Sequence, residues 1–67
     1  MIIEIDVIRK DWIYRQLEFV DTEISISVNT NHVVSMDRED LSVRLTVGPI
    51  YYFKDIDSWE YLRHKIK

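Results

Sequence analysis

Few side chains in this sequence could carry out chemistry, and the two histidines are the first to consider. His32 and His64 stand at no metal-ligand spacing from another candidate ligand. The sequence contains no cysteine, so neither a thiol nucleophile nor a cysteine–histidine pair can form. His64 falls near the end of a predicted helix, where the helix dipole favours positive charge. We therefore predict no catalytic role and no metal site at either histidine.

Asp55, Asp57 and Glu60 place three carboxylates close together near the C-terminus. Two carboxylates with well-separated pKa values can act as acid and base in a cleft. Asp57 followed by Glu60 is also the pattern of a capping box, in which both side chains bond backbone groups at the start of a helix. None of the serines stands in a nucleophile-elbow sequence. Because capping explains the carboxylates, we predict that the protein is not an enzyme and uses no cofactor.

Aromatic side chains are the main indication of function. Trp12 and Tyr14 share an outward face if their segment is a strand, and one sheet face cannot bury both Tyr51 and Tyr52. Trp, Tyr and Arg are enriched at the centres of protein interfaces. The predicted partner-binding residues are Trp12, Tyr14, Arg15, Tyr51 and Tyr52.

Three interpretations of these aromatics stay open. They pack within the fold or across a homodimer, they bind another protein, or they stack on the bases of a single-stranded nucleic acid with Arg9 and Lys10 nearby. We predict a small non-enzymatic interaction module, an accessory or inhibitory protein with a protein partner. Single-strand nucleic-acid binding through the aromatic and basic sheet face is the alternative.

The charge distribution bears on the choice of partner. The formal net charge is −3, whereas a duplex-DNA binder normally has a basic excess. Residues 21–40 carry one basic residue, Arg38, against five acidic ones. Acidic clusters can imitate the phosphates of nucleic acid, but a solvated charged loop explains this segment better.

Residues 41–66 are the segment around which the rest of the chain is organised. Leu41 to Val47 alternate apolar and polar side chains, as expected of a strand with one buried face. Gly48, the only glycine, stands where the alternation stops and suits a tight turn with positive φ. Residues 50–53 resume the strand chemistry, which predicts a β-hairpin.

A short amphipathic helix is predicted after this hairpin. Asp57 is the predicted N-cap, with Ile56 and Tyr61 as a hydrophobic staple around it. Trp59, Leu62 and Ile66 recur at helical spacing, so one stripe of the helix should face the sheet.

The N-terminal half also alternates as strands do. Residues 1–9 predict a strand with Ile3, Ile5 and Val7 on one face, followed by a turn at residues 10–11. Residues 12–20 fit either a strand, with Ile13, Arg15, Leu17 and Phe19 inward, or a helix lined by Ile13, Leu17 and Val20. The strand is favoured, because aromatic and branched residues dominate.

The pattern continues to the charged loop. A turn is predicted at residues 21–22, and Ile24, Ile26 and Val28 define the plainest strand. A turn at residues 29–31 precedes a strand with Val34 and Met36 inward, and residues 37–40 form a hairpin loop.

The whole chain of 67 residues predicts one domain of the α+β class, mainly β. We expect a small curled antiparallel sheet or partly open barrel of five or six strands with one C-terminal helix. A cysteine-free chain this short gains stability by dense packing or oligomerisation, so a homodimer is expected. No signal peptide and no membrane-spanning run is present, so we predict a soluble cytoplasmic protein.

The second half of the chain resembles a pattern found in short bacterial proteins. Its residues are VNTNHVVSM, a charged loop, and then LTVGPIYYFKDIDSWEYL. This run is similar to the short flagellar-operon (FlbD-type) proteins and, loosely, to the final part of LytTR-type DNA-binding domains. It covers about residues 28–66, contains no catalytic motif and implies the same hairpin–helix geometry; Val47-Gly48-Pro49 stands where those proteins have Asn-Gly. An accessory protein of a phage or mobile element fits the size equally well.

Overall fold

An open antiparallel sheet with one helix on its face forms the protein. The computed structural model describes residues 1–66. Within them the strands lie side by side in the order β2-β1-β5-β4-β3, and all neighbours are antiparallel. The elements are β1 (Ile2–Ile13), β2 (Glu18–Asn29), β3 (Val33–Asp37), β4 (Ser42–Leu45), β5 (Tyr51–Tyr52) and α1 (Ile56–Lys65). The predicted fold class is confirmed, and the sheet is open.

Strands β1 and β2 form a long hairpin with an uninterrupted register from Ile2↔Asn29 to Ile13↔Glu18. Alternation places the predicted apolar residues of both strands on one face, as expected. The turns predicted at residues 10–11 and 21–22 are wrong, because both segments continue the strands. Their polar side chains bond across the ladder instead: Thr22 Oγ1 donates to Asp11 Oδ2 at 3.0 Å.

The chain reverses at residues 14–17, between β1 and β2. The backbone N–H of Gln16 donates to the carbonyl of Ile13 at 3.2 Å, and Leu17 has a φ of 52°. Positive φ is unusual for a residue other than glycine or asparagine. Residues 14–17 contain neither, so the sequence carries no ordinary signal for this turn. The single strand favoured for residues 12–20 was wrong, because residues 14–17 form a turn; Arg15, Leu17 and Phe19, predicted inward, are all exposed.

The predicted hairpin of the C-terminal half is confirmed, with Ser42 opposite Tyr52 and Val43 opposite Tyr51. Its connection is longer than a tight turn, because the paired strands end at Leu45 and begin again at Tyr51. Gly48 has the predicted positive φ, 99°. Val47 lies in the connection and is exposed, so its predicted inward position was wrong.

The other edge of the sheet is irregular. The pairing of β3 with β4 shifts register between Val33 and Ser35. This bulge turns Val34 outward, against the prediction, while Val33 and Met36 pack on the core. The predicted charged loop at residues 37–40 is confirmed, and Asp37 Oδ1 accepts a hydrogen bond from the backbone N–H of Glu39 at 2.9 Å.

One hydrophobic core lies between the sheet and α1. Trp59 and Leu62 are buried as predicted, and Ile66 packs beside them at the helix C-cap. The indole N–H of Trp59 donates to the backbone carbonyl of Ser42 at 3.1 Å, which ties the helix to β4. The buried apolar residues are Ile5, Val7, Val28, Val43, Phe53, Trp59 and Leu62.

The helix begins earlier than the sequence suggests, so the cap was assigned to the wrong aspartate. Asp55 is the N-cap, and its Oδ1 accepts a hydrogen bond from the backbone N–H of Ser58 at 2.8 Å. Asp57 lies inside the first turn, where the helix dipole stabilises a negative charge. Ile56 and Tyr61, the predicted staple, are both exposed. Hydrogen bonds from Ser58 hold the pKa of the Asp55 carboxyl below its ordinary value.

We expect Asp55→Ala to lower the melting temperature more than Asp57→Ala, because only Asp55 caps the helix. The pKa of Asp55 is lower in the folded chain, so its contribution is fully present above about pH 4, the ordinary range of an unfolded aspartate. That contribution decreases as the pH falls through the lowered folded pKa and is lost below it. Thermal unfolding of wild type and both variants, followed by circular dichroism across the acid range, measures this. An Asp55→Ala deficit that stays constant in acid would contradict it.

Candidate functional site

The β1–β2 hairpin extends beyond the rest of the sheet. Strand β5 pairs with β1 only at Ile8 and Arg9, so beyond Arg9 each strand of the hairpin has the other as its only neighbour in the sheet. From Arg9 to Ile13 the strand rises about 13 Å. The molecule measures 41 Å along its long axis, against 22 and 18 Å across. We call residues 10–21, from the pair Lys10↔Asp21 outward, the distal hairpin.

Three aromatic rings meet on one face of the distal hairpin. Trp12 and Phe19 are directly opposite each other, with ring centres 5.0 Å apart at an angle of 67°. Tyr14 meets Trp12 edge to face at 6.3 Å and 89°. The exposed fractions of Trp12, Tyr14 and Phe19 are 40%, 81% and 65%. We call these three residues the aromatic cluster; Leu17, in the adjoining turn, is also exposed.

None of the three rings of the aromatic cluster is among the described residues that form the core or pack against it. The buried residues of β1 are Ile5 and Val7, on the opposite face and nearer the other end of the strand. A cross-strand aromatic pair stabilises a hairpin by about 0.2–1 kcal/mol. This contribution needs only the Trp12–Phe19 pair, so it does not explain why a third exposed ring, Tyr14, joins them. Contiguous exposed apolar surface on a small protein is typical of an interaction site.

The charges around the aromatic cluster are balanced. Residues 10–21 carry two basic and three acidic side chains. Just below them, Arg9 Nε lies 3.0 Å from Asp11 Oδ1, and the hydrogen bonds from Arg9 and Thr22 lower the pKa of the Asp11 carboxyl. Lys10 Nζ lies 4.9 Å from the centre of the Tyr52 ring. The basic residues near the cluster therefore form no excess of positive charge.

The structure brings together only part of the predicted partner-binding set. Trp12 and Tyr14 are in contact, and Arg15 is exposed in the turn beside them. Tyr52 lies on the same face but opposite Ile8, about 13 Å along the strand from Trp12. Tyr51 is on the other face and packs against the core. A binding role for the two β5 tyrosines stays a prediction.

The sequence interpretation missed Phe19 and Leu17. A signal was present: the apolar residues of 3–7 and 24–28 are arranged symmetrically about residues 15 and 16. Two strands related in this way fit one hairpin, whose turn lies at the centre of symmetry. That symmetry places Trp12 opposite Phe19 and both outward.

Other candidate residues are dispersed. His32 and His64 are exposed and lie on different elements, and His64 Nε2 is 3.5 Å from Glu60 Oε2 on the same helix. Among residues 1–66, no group of three or more His, Asp or Glu side chains is arranged to hold a metal ion. In the same range no helix has the length and apolar character needed to cross a membrane.

The acidic residues of 21–40 do not form one surface. Asp21 and Glu23 lie on β2, at one edge of the sheet, whereas Asp37, Glu39 and Asp40 lie at the β3–β4 turn near the other edge. Four strand spacings separate the two edges, about 19 Å. The segment is therefore divided between two distant positions.

Comparison with protein-family models, with curated proteins and with solved structures finds no match for this chain. The resemblance of residues 28–66 to FlbD-type and LytTR-type proteins stays a prediction. The distal hairpin, residues 10–21, lies outside that region, so the resemblance has no bearing on the candidate site.

Proposed function

We propose that the protein is a non-enzymatic accessory or inhibitory protein that binds another protein through the aromatic cluster of its distal hairpin. The observation that carries the proposal is the group of three exposed rings, two of them packed on Trp12, on a hairpin that extends beyond the rest of the sheet. A projecting hairpin fits a partner with an apolar cleft, which its rings would fill. The absence of cysteine suits a reducing cytoplasm.

The aromatic cluster is pre-organised in the free protein. The ladder between β1 and β2 is continuous to the last pair, and the hydrogen bond from Thr22 to Asp11 braces its base. Trp12 packs against both other rings, which limits their rotamers. Groups ordered in advance lose little conformational entropy on binding, so more of the contact energy appears as affinity.

The charges favour a protein partner over single-stranded nucleic acid. Nucleic-acid grooves combine stacking rings with an excess of basic residues that follow the phosphates. Here Arg9 is paired with Asp11, Lys10 lies over Tyr52, and acidic residues accompany both on the hairpin. The centres of protein interfaces are enriched in aromatic residues and have no need of a basic excess, which fits this cluster.

Capture of partners from cell extract by wild type and by Trp12→Ala/Phe19→Ala tests the proposal. Removing one central aromatic anchor costs about 2 kcal/mol or more, so the variant, which lacks two, should bind the partner at least about 30-fold more weakly even where the two losses overlap. Tyr61→Ala is the matched control, because Tyr61 is an exposed aromatic on the helix. Circular dichroism should show the double variant folded, since neither ring belongs to the core.

Recovery of the same partners at the same strength by the double variant would contradict the aromatic cluster as the binding site. Binding of mixed-sequence single-stranded DNA or RNA at low salt, weakening steeply as salt rises, would support nucleic acid instead.

A further inference from the structure

Strand β2 is a long sheet edge that residues 1–66 leave uncovered. It pairs with β1 along all 12 of its residues and has no strand on its other side. Alternate backbone N–H and C=O groups along that side are therefore available to a further strand. Its register with β1 is also unbroken, so no bulge twists the edge away.

The two edges of the sheet differ in protection. Strand β3, at the other edge, is only 5 residues long and carries a bulge. In β2 the charged residues Glu18, Asp21 and Glu23 all lie in the first half. Residues 24–29, ISISVN, contain no charge, proline or glycine. Short bulged edges and charged edges resist pairing, whereas this uncharged segment has none of these protections.

The core is also incomplete at this edge. Val7 and Ile5 on β1 are buried, but Ile24 and Ile26, their partners on β2, are only partly buried. The apolar face of the sheet thus continues to the edge without being covered there. A further strand beside β2 would extend the sheet and bury these isoleucines.

We propose that two copies of the chain pair antiparallel along β2, with a two-fold axis at Ile26, so that the two sheets become continuous. In this register Ile26 of one copy lies opposite Ile26 of the other. Ile24 lies opposite Val28 of the second copy, and Ser25 lies opposite Ser27. Opposite residues of antiparallel strands share a face, so the apolar pairs fall on the helix-covered side and the serines on the other.

Charge and side-chain type select this register. With the axis at Ile26, Glu23 stands opposite the uncharged Asn29. With the axis at Thr22, Asp21 would stand opposite Glu23, and like charges directly opposite destabilise a pair. The axis at Ile26 also matches apolar with apolar residues at positions 24, 26 and 28, and serine with serine at positions 25 and 27. The pairing does not rest on the proposed function, since the aromatic cluster lies outside this segment.

Sedimentation over a dilution series of the full chain tests the pairing with a charge-swap design. In Ser25→Lys/Ser27→Lys, the lysine at position 25 of each copy lies opposite the lysine at position 27 of the other. The dissociation constant of the dimer should therefore rise at least tenfold. The monomer should tolerate both changes, because Ser25 and Ser27 are exposed and stand opposite Asp6 and Glu4 of β1. Thermal unfolding confirms that the variant is folded.

Ser25→Lys/Ser27→Glu, made together with Glu4→Gln, provides the decisive comparison; the third change is needed because Glu4 stands opposite position 27 on β1, and like charges directly opposite destabilise a pair. In the proposed register each lysine then faces a glutamate, so the dimer should return; with the axis at Ser25, lysine would face lysine and the dimer would stay weak. Ser35→Lys, on the bulged edge, is the matched control and should leave the dimer unchanged. The proposal is overturned by a wild type that is monomeric throughout, as expected if β2 instead receives a strand of another protein. A dimer that persists in the two-lysine variant also overturns it.

The dimer and the partner-binding proposals can fail separately. Trp12→Ala/Phe19→Ala should dimerise as wild type does, because both substitutions lie outside residues 24–28. Ser25→Lys/Ser27→Lys should still capture the protein partner through the distal hairpin. Loss of dimerisation in the aromatic variant would move the self-association site to the hairpin and overturn the β2 assignment.

Discussion

Trp59→Ala should lower the free energy of unfolding by about 3–5 kcal/mol, the usual effect of removing a large buried aromatic side chain. Trp59 is only 6% exposed and packs in the core between α1 and the sheet. The substitution also removes the hydrogen bond from its indole N–H to the Ser42 carbonyl. Such a loss is a large share of the roughly 5–15 kcal/mol that stabilises a typical domain. Urea unfolding followed by circular dichroism measures it.

Trp59→Phe separates the two contributions. The phenyl ring retains much of the apolar contact, so the expected loss is smaller, about 1–3 kcal/mol from the unmade buried hydrogen bond and the reduced volume. His64→Ala, on the exposed side of the same helix, should be nearly neutral. If Trp59→Ala melts like wild type while partner binding collapses, the helix is an exposed recognition element and the core described here is wrong.

Leu62→Ala should lower the free energy of unfolding by about 2–5 kcal/mol, the range for removing a buried leucine. Leu62 is fully buried, at 0% exposure, so the substitution leaves a cavity between the helix and the sheet. A free helix needs about 12–15 residues to be stable in water, and α1 has 10. The helix should therefore loosen when this contact is lost, which far-ultraviolet circular dichroism would show as reduced helicity on heating.

Tyr61→Ala is the matched control for Leu62→Ala, because the two residues are adjacent in the same helix and Tyr61 is exposed. Its expected effect lies within about 0.5 kcal/mol, as is usual at surface positions. Equal destabilisation by both substitutions would show that helix propensity, and not burial, sets the stability of α1.

These expectations divide the molecule into two parts with different roles. Substitutions around Trp59 and Leu62 should act on stability, because those residues join the helix to the sheet. Substitutions in the aromatic cluster should act on binding with little change in melting temperature, because none of its three residues is among the described residues that form that core cluster or pack against it. Measuring both properties on each variant tests the division directly.

Local pattern alone determined several elements correctly. The alternation of Ile3, Ile5 and Val7 predicted which side of β1 meets the core, and the same holds for residues 24–28. The helical spacing of Trp59 and Leu62 predicted the buried stripe of α1. These signals are reliable because strand and helix periodicities are properties of the backbone, and burial of apolar surface then chooses the face.

The assignment of the helix cap required the tertiary structure. Asp55 and Asp57 are both good N-cap residues and are only two positions apart. The choice is made by Phe53, whose side chain is buried and whose backbone N–H donates to the Leu41 carbonyl at 2.7 Å. Strand β5 ends at Tyr52 and Phe53 fixes the chain two residues before Asp55, so the helix begins at Ile56.

The sequence by itself determined the alternating segments 3–7 and 24–28, the helix and the aromatic content, but only the tertiary structure decided the strand ends and where the aromatics and the free edge lie. Period-2 alternation defines the two faces within one strand, and the phase after a turn depends on the number of residues in that turn. The turn at residues 14–17 has no glycine or asparagine, so its length could not be read locally, and Phe19 was assigned inward. Likewise β2 is an edge because β5 pairs with β1, on the side away from β2, and no strand of residues 1–66 pairs with the outer side of β2. That choice depends on contacts between residues more than 40 positions apart, such as Ile8 and Tyr52, which local pattern does not encode.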